Sequence, residues 1–215
     1  MAFRSVLLAL ALALAATGCV PYAVGTTPRT VEAREVEPSA VFQIASARRD
    51  VDRGERTARP GLAVGNEARL GLDDVSDIGV RLTGLGGVTA TYKRRLSGAP
   101  GSDAGAAVLV GAGVIGLSHA HAEATLVLSG PALSDRVQPY YGLRGQALAP
   151  FSQDAVGSDP ALGVFGGARI GWPDLSLSPE LGVFYSPSPN LRESAWIVVP
   201  SVTVRGERLA RALGL

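Results

Sequence analysis

Hydrophobic and polar residues alternate along most of the chain after residue 35. In residues 136–148, for example, Val137, Tyr141 and Leu143 fall on one side of an extended chain, and Gln138 and Arg144 fall on the other. Successive side chains of a β-strand point to opposite faces of the sheet. This pattern therefore predicts strands with one apolar face and one polar face.

The same alternation recurs in ten segments. It is clearest in residues 77–84, 88–95, 136–148, 162–172, 175–186 and 196–205, and weaker in residues 36–47, 61–72, 106–117 and 119–130. Turn sequences rich in Gly, Pro, Asp and Ser separate these segments. We expect an all-β domain over residues 36–206, an antiparallel barrel of about ten strands with eight also possible, followed by a tail at residues 207–215.

Alternation alone does not say which face of the barrel points inward. The polar faces carry few charges, and the segments are close to the 9 to 11 residues that a tilted strand needs to cross a bilayer. Tyr92, Trp172, Tyr185 and Trp196 lie near segment ends, where aromatic girdles form. These features favour a transmembrane barrel. The alternative is a soluble, lipocalin-like periplasmic barrel that binds an apolar ligand in an apolar interior.

In a transmembrane barrel the polar faces line the lumen. The predicted lumen-facing polar residues are Glu67, Arg69, Arg81, Lys93, Arg95, Arg144, Arg169, Glu180 and Arg205. Eight strands give an interior that side chains can fill, and ten give one slightly wider. Pairs of opposite charge across such a lumen would satisfy one another, so we expect a narrow, plugged lumen.

The first eighteen residues have the composition of a signal peptide. Arg4 is followed by the apolar run 6–16 and by the small residues Thr17 and Gly18. The run is shorter than the roughly 20 residues of a membrane-spanning helix. Residues 16–19, Ala-Thr-Gly-Cys, resemble the lipobox of bacterial lipoproteins, which implies cleavage before Cys19 and its acylation, as with palmitate. The alternative is an ordinary secretory cleavage that leaves a stray cysteine.

Residues 19–35 are rich in Pro, Thr and charge and have no periodic apolar pattern. We therefore expect a flexible, lipidated tether between Cys19 and the barrel. A lipid in the inner leaflet of the outer membrane would put the start of the first strand in the periplasm. The longer polar links at 48–60, 149–160 and 186–194 would then face outward.

Together with the stretch Arg29 to Glu32 (Arg-Thr-Val-Glu), this pattern resembles bacterial outer-membrane β-barrel proteins with a lipoprotein signal peptide, of the small OmpA/OmpX-like type. The resemblance implies the outer membrane of a Gram-negative-type bacterium and a structural or surface-binding role. Its partners would be outer-membrane lipid and the barrel-insertion and lipoprotein-sorting machinery. Such barrels often end on an aromatic residue, whereas this chain ends at Leu215, a departure that favours the soluble alternative.

Other chemistry has little support in the sequence. The net charge is +1 without a basic block, so nucleic acid is not an expected partner. Residues 111–116 fit the G-x-G-x-x-G pattern of dinucleotide-binding folds, but a further strand follows after about a dozen residues, where that fold requires a helix. We read them as a glycine-rich strand and expect no cofactor.

One group of residues could bind a metal ion. His119, His121 and Glu123 share a strand face and have side chains that zinc accepts, although a polar lumen or barrel rim explains them equally well. Ser118 is expected to point away from the ring of His119, on the opposite strand face. With no nucleophile arrangement in view, we expect a protein that is not an enzyme.

Overall fold

The computed structural model describes residues 20–46, 60–84, 86–116, 118–151, 158–172, 174–186 and 196–206. They form ten strands: β1 (Val36–Ser46), β2 (Pro60–Asp73), β3 (Ser76–Thr83), β4 (Gly87–Ser97), β5 (Gly105–Ile115), β6 (His119–Ser129), β7 (Val137–Pro150), β8 (Ser158–Trp172), β9 (Leu175–Tyr185) and β10 (Trp196–Arg205). Within these ranges no helix is long and apolar enough to cross a membrane. The predicted signal peptide, Cys19 and the tail at 207–215 lie outside the described residues.

The ten strands close into one antiparallel barrel. Each strand pairs with its neighbour in sequence, and β1 pairs with β10 from Ser39 opposite Arg205 to Gln43 opposite Ser201. Each of the ten predicted segments coincides with one strand, and the predicted fold class is confirmed.

The apolar face of the barrel points outward. Leu143, Leu181 and Val198 are each more than half exposed, whereas their strand neighbours Arg144 and Glu180 are buried. A continuous exposed apolar surface of this kind marks a membrane or interaction surface. The soluble, lipocalin-like alternative does not fit, because the interior that would hold its apolar ligand is lined largely by polar side chains.

The two ends of the barrel differ in their connections. At the end that we call the turn mouth, β1 begins, β10 ends, and links at 74–75, 98–104, 130–136 and 173–174 join the strands. At the other end, the loop mouth, the links are 47–59, 84–86, 116–118, 151–157 and 186–195. Aromatic rings lie at both: Tyr185 packs on Trp196 at the loop mouth, and the guanidinium of Arg136 lies 4.4 Å from the ring centroid of Trp172 at the turn mouth.

Residues 20–31, which we call the lumen segment, lie inside the barrel. Tyr22, Val24, Thr27 and Val31 are all buried, and the segment hydrogen-bonds to side chains that point inward from the strands. The predicted flexible tether is therefore wrong for this stretch. Its main-chain N–H and carbonyl groups form hydrogen bonds with charged side chains of the lumen wall. A search for apolar periodicity does not detect this kind of stabilisation.

A tight turn at residues 32–35 reverses the chain into β1. The Glu35 N–H donates to the Glu32 carbonyl at 3.0 Å, and Arg34 has a φ of 69°. The Arg34 N–H also donates to the carbonyl of Gly71. A Cβ on Gly71 would lie 2.0 Å from the Glu32 oxygen, so only glycine permits this close crossing.

Candidate functional site in the barrel lumen

One half of the lumen wall carries a cluster of buried ion pairs. Arg69 lies between two carboxylates: its Nη1 is 2.5 Å from Glu67 Oε1, and its Nε is 2.7 Å from Asp77 Oδ1. Its Nη1 also donates to the Thr91 hydroxyl at 3.0 Å. β2, β3 and β4 bring these four side chains together because inward positions of neighbouring strands face one another at each register step.

The cluster continues from β3 to β7. Arg81 lies between Glu67 and Glu123, at 3.4 and 3.3 Å, and Arg144 contacts the second oxygen of Glu123. We call this group of three carboxylates and three guanidinium groups the charge cluster; its members are Glu67, Arg69, Asp77, Arg81, Glu123 and Arg144. Its opposite charges are equal in number, as buried ions require.

Glycines on β5 make room for the charge cluster. Gly111 lies opposite Glu123 in the register, and a Cβ there would be 2.9 Å from Glu123 Cγ. At Gly113, opposite His121, a Cβ would be 2.0 Å from the Val88 carbonyl oxygen. The stretch 111–116 is thus the end of a strand and its turn, and the observed hairpin to β6 agrees with the reading as a glycine-rich strand.

The lumen segment is held near the loop mouth by Gln43 of β1. The Gln43 side-chain oxygen accepts from the N–H groups of Tyr22 and Ala23, both at 3.1 Å, and its NH₂ donates to the Val20 carbonyl at 2.8 Å. The ring of Tyr22 packs on Phe184 with centroids 4.7 Å apart. Phe184 is one residue from the loop-mouth end of β9, which fixes the position of Tyr22 along the barrel.

Two further strands contact the segment: β7 at Pro21, near the loop mouth, and β9 at Val24 and Gly25, about halfway along the barrel. Glu180 accepts from the N–H groups of Val24 and Gly25, each at 2.8 Å, and Arg144 donates to the Pro21 carbonyl at 2.8 Å. Gly25 has a φ of +58°, and a Cβ there would lie 1.9 Å from the Thr203 hydroxyl. Glycine is required on both counts.

Two cations bind the segment between the middle and the turn mouth. Lys93 donates to the Thr26 hydroxyl at 3.0 Å and to the Arg29 carbonyl. Arg205 donates to the same hydroxyl at 3.1 Å and to the Gly25 carbonyl at 3.2 Å, and it forms an ion pair with Glu37 at 3.0 Å. Main-chain carbonyls therefore serve as acceptors for lumen cations.

The last contacts of the segment lie at the turn mouth. The Thr27 hydroxyl donates to Asp103, which also pairs with Arg169 at 2.5 Å. The Thr30 hydroxyl donates to the Asp74 carbonyl, and the Val31 N–H donates to Asp77. From Val20 to Val31 the segment passes from one mouth to the other.

Little space remains around the lumen segment on the side of β1 to β3. A gap of about 10 Å³ lies between Pro21 and Ala23 on the segment and Gln43, Ala63 and Arg81 on the wall. That is about the smallest volume, roughly 10–15 Å³, that can hold one water molecule. On this side the segment and the wall are in close contact.

All nine residues predicted to face the lumen point to the inside of the barrel. Three sets can be distinguished among them. Glu67, Arg69, Arg81 and Arg144 belong to the charge cluster, and Lys93, Glu180 and Arg205 contact the lumen segment. Arg95 and Arg169 contact residues of the β4–β5 link at the turn mouth. There Arg95 donates to the Ala104 carbonyl at 2.9 Å and so fixes the β4–β5 link.

The three residues considered for metal binding do not act together. Glu123 is taken up by Arg81 and Arg144, and the His121 Nε2 lies 3.7 Å from Glu123 Oε2. His119 is outside this group, 2.8 Å from the Ser118 hydroxyl. The expectation that Ser118 points away from His119 is wrong, because Ser118 belongs to a turn and the strand begins at His119. Among the described residues no cluster of His, Cys, Asp or Glu could hold a metal ion.

Sequence reasoning missed the role of Gln43 and the whole lumen segment. Gln43 lies on the polar face of β1, but nothing in its position distinguishes a main-chain clamp from an ordinary polar residue. The charge imbalance of the predicted lumen is the signal that could have indicated the segment. The nine predicted lumen residues are seven cations and two anions, and buried cations need hydrogen-bond acceptors, which the lumen segment supplies.

A closed antiparallel barrel with an apolar exterior and a polar interior is the architecture of transmembrane β-barrels. A scan against protein-family models and a search of curated proteins found no match. Among solved structures, the chain is similar to Neisserial surface protein A, with 16% identity over 80% of this chain and 94% of that one and a TM-score of 0.38.

Two further solved structures show a likeness at the same level. The N-terminal β-barrel domain of Pseudomonas aeruginosa OprF is 10% identical over 81% of this chain and 99% of that one, with a TM-score of 0.34. The Yersinia pestis outer membrane protein Ail is 13% identical over 80% and 99%, with a TM-score of 0.33. Likeness at this level transfers no function to this chain.

Proposed function

We propose that the protein is an outer-membrane β-barrel lipoprotein with a structural or surface-binding role, a closed lumen and no catalytic activity. The observation that carries this proposal is the division of the barrel into an apolar outside and an inside filled by ion pairs and the lumen segment. An apolar belt favours residence among acyl chains. A filled interior leaves no path for a solute.

The closed lumen is supported by the density of contacts along the segment. Gln43, Glu180, Lys93 and Arg205 bind its main chain at successive levels. Each buried N–H or carbonyl that lost its partner would cost about 1–3 kcal/mol, so the segment is held firmly. We infer a barrel whose lumen is closed to solutes. Its two mouths are then the surfaces available for binding.

Ion conductance of the purified protein in planar lipid bilayers tests the closed lumen. We expect no steady conductance from the full chain. A variant that lacks residues 20–31 should conduct, because the removal leaves the centre of the barrel to water. Steady current steps from the full chain would contradict a closed lumen.

Acylation of Cys19 is the second part of the proposal, and the lipobox-like residues 16–19 support it. Cells expressing the protein with a labelled fatty acid should incorporate the label into the wild-type chain and not into Cys19→Ala. Both chains should migrate as folded barrels in unheated gels. Equal labelling of the two would overturn acylation at this residue and leave the barrel proposal standing.

A further inference from the structure

The lumen segment has a direction along the barrel. Val20 and Tyr22 lie near the loop mouth, against Gln43 and Phe184, while Thr30 and Val31 lie at the turn mouth. The chain therefore enters at the loop mouth, passes down the lumen and turns at residues 32–35 to begin β1. Val20 and the first residue of β1 lie at opposite ends of the barrel.

This direction bears on which side of the membrane the N-terminus occupies. The sequence alone predicts a lipid at Cys19 on the same side of the membrane as the start of β1. The residue bonded to Cys19 is Val20, however, whose carbonyl accepts from Gln43 near the loop mouth. The premise that Cys19 and the first strand share a side does not fit this path.

We propose that the mature N-terminus, with its acylated cysteine, is presented at the cell surface after the chain is threaded through its own barrel. The inference rests on the proposed function, in which the barrel spans the outer membrane. The loop mouth is the outer one because outer-membrane barrels have short periplasmic turns and longer extracellular loops. The longest links, 47–59 and 186–195, join strands at the loop mouth.

The length of the lumen segment agrees with this path. Twelve residues reach at most about 40 Å when extended, and the hydrocarbon core of a bilayer is about 30 Å thick. Residues 20–31 are thus enough to cross the membrane inside the barrel. An acyl group on the residue before Val20 then meets the leaflet at the loop mouth.

The wall is built to hold a threaded main chain. Gln43 and Glu180 each accept from two consecutive N–H groups, and Asp77 accepts from the Val31 N–H. Arg144, Lys93 and Arg205 donate to carbonyls of Pro21, Arg29 and Gly25. Six wall side chains thus bind the peptide backbone of the segment along the length of the lumen.

Single cysteines labelled on intact cells with a membrane-impermeant maleimide test the sidedness. The wild-type chain, whose Cys19 is blocked by acylation, gives the background. Val20→Cys should label on intact cells, although more slowly than Phe151→Cys, because Val20 is half-buried whereas Phe151 is an exposed residue of the loop mouth. Asp74→Cys, at the turn mouth, should label only after the outer membrane is permeabilised. Each variant is first checked for folded-barrel migration in an unheated gel.

The outcomes separate this inference from the proposed function. If Phe151→Cys labels on intact cells and Val20→Cys labels only after the outer membrane is permeabilised, the surface N-terminus is overturned while the barrel keeps its orientation. If only Asp74→Cys labels on intact cells, the barrel is inverted and the orientation on which the inference rests fails with it.

A cross-link tests threading independently of orientation. In the chain carrying Tyr22→Cys and Phe184→Cys, a short bis-maleimide should join the two residues, since their rings are in contact with centroids 4.7 Å apart and such a linker does not require disulfide geometry. Mass spectrometry of the digest detects the joined peptides. The matched pair Tyr22→Cys and Leu181→Cys, with the second residue on the outer face, should remain unjoined. Failure of the first pair in a folded barrel would overturn threading.

Discussion

Arg69 illustrates how single residues keep the lumen wall intact. It is buried and contacts the carboxylates of Glu67 and Asp77. Replacement by Met would leave two buried carboxylates without their shared cation. Because breaking a buried ion pair costs about 3–5 kcal/mol, Arg69→Met should lower the free energy of unfolding by that amount. Urea unfolding of the protein in lipid vesicles measures it.

Arg94→Met is the matched control for this substitution. Arg94 lies on the outer face of β4, near its turn-mouth end, and a lipid-facing arginine close to the interface changes stability by only about 0–1 kcal/mol, in the direction that favours its removal. Equal losses from the two variants would mean that Arg69 contributes no more than a surface arginine, and the role assigned to the charge cluster would have to be abandoned.

The sequence allowed the lumen residues to be predicted but not their partners. Period-two alternation identifies Arg144 and Lys93 as inward because Leu143 and Tyr92 beside them are on the apolar side. The acceptors that these cations use include the carbonyls of Pro21 and Arg29. Every residue has a carbonyl, so the sequence carries no mark of which ones a cation binds.

At the scale of elements, strands and lumen segment differ in how far the sequence predicts them. A strand with a membrane on one side and a polar lumen on the other must alternate, and all ten did. The lumen segment touches the wall on every side and therefore has no apolar face to repeat. Its Pro, Thr and Gly residues, read as a tether, are small enough to pass among long arginine side chains.

Gly25 should be the most sensitive position of the lumen segment. In Gly25→Ala the new methyl would lie 1.9 Å from the Thr203 hydroxyl, so the segment must shift and lose its contacts with Glu180. We expect a lower free energy of unfolding and a measurable ion leak through lipid vesicles that contain the variant.

Gly101→Ala is the control that measures the cost of a side chain in the left-handed backbone conformation without any steric clash. Gly101 has a φ of +73° and no atom within 4 Å of its Cβ position, so its substitution should cost roughly 1–2 kcal/mol for the left-handed conformation and cause no leak. If Gly25→Ala behaves in the same way, the segment is not packed against Thr203 as described.

At the scale of the whole molecule, neighbouring valines on β10 report on the environment of the two faces. Val198 is 56% exposed and Val199 is 1% exposed. In a Cys19→Ala background, a fluorophore on Val198→Cys should be quenched strongly by brominated lipid, because that side chain meets acyl chains. A fluorophore on Val199→Cys should be quenched much less.

The comparison of labelled Val198→Cys with labelled Val199→Cys distinguishes a membrane barrel from a water-soluble one. In a soluble barrel neither position would respond to brominated lipid, since no acyl chains would surround the outer face. Strong quenching at Val199 instead of Val198 would mean that the faces are reversed. The two side chains are identical and adjacent, so differences in strand position do not affect the comparison.

The seam between β1 and β10 imposes an order on the assembly of the molecule. A segment enclosed by all ten strands cannot slide into a finished barrel whose wall already fits closely around it, so it must be in position before Ser39 and Arg205 pair. Residues 20–31 then act as an internal template around which the barrel closes. Once β1 and β10 have paired, the lumen segment is enclosed by the barrel. It can leave the lumen only when that pairing breaks.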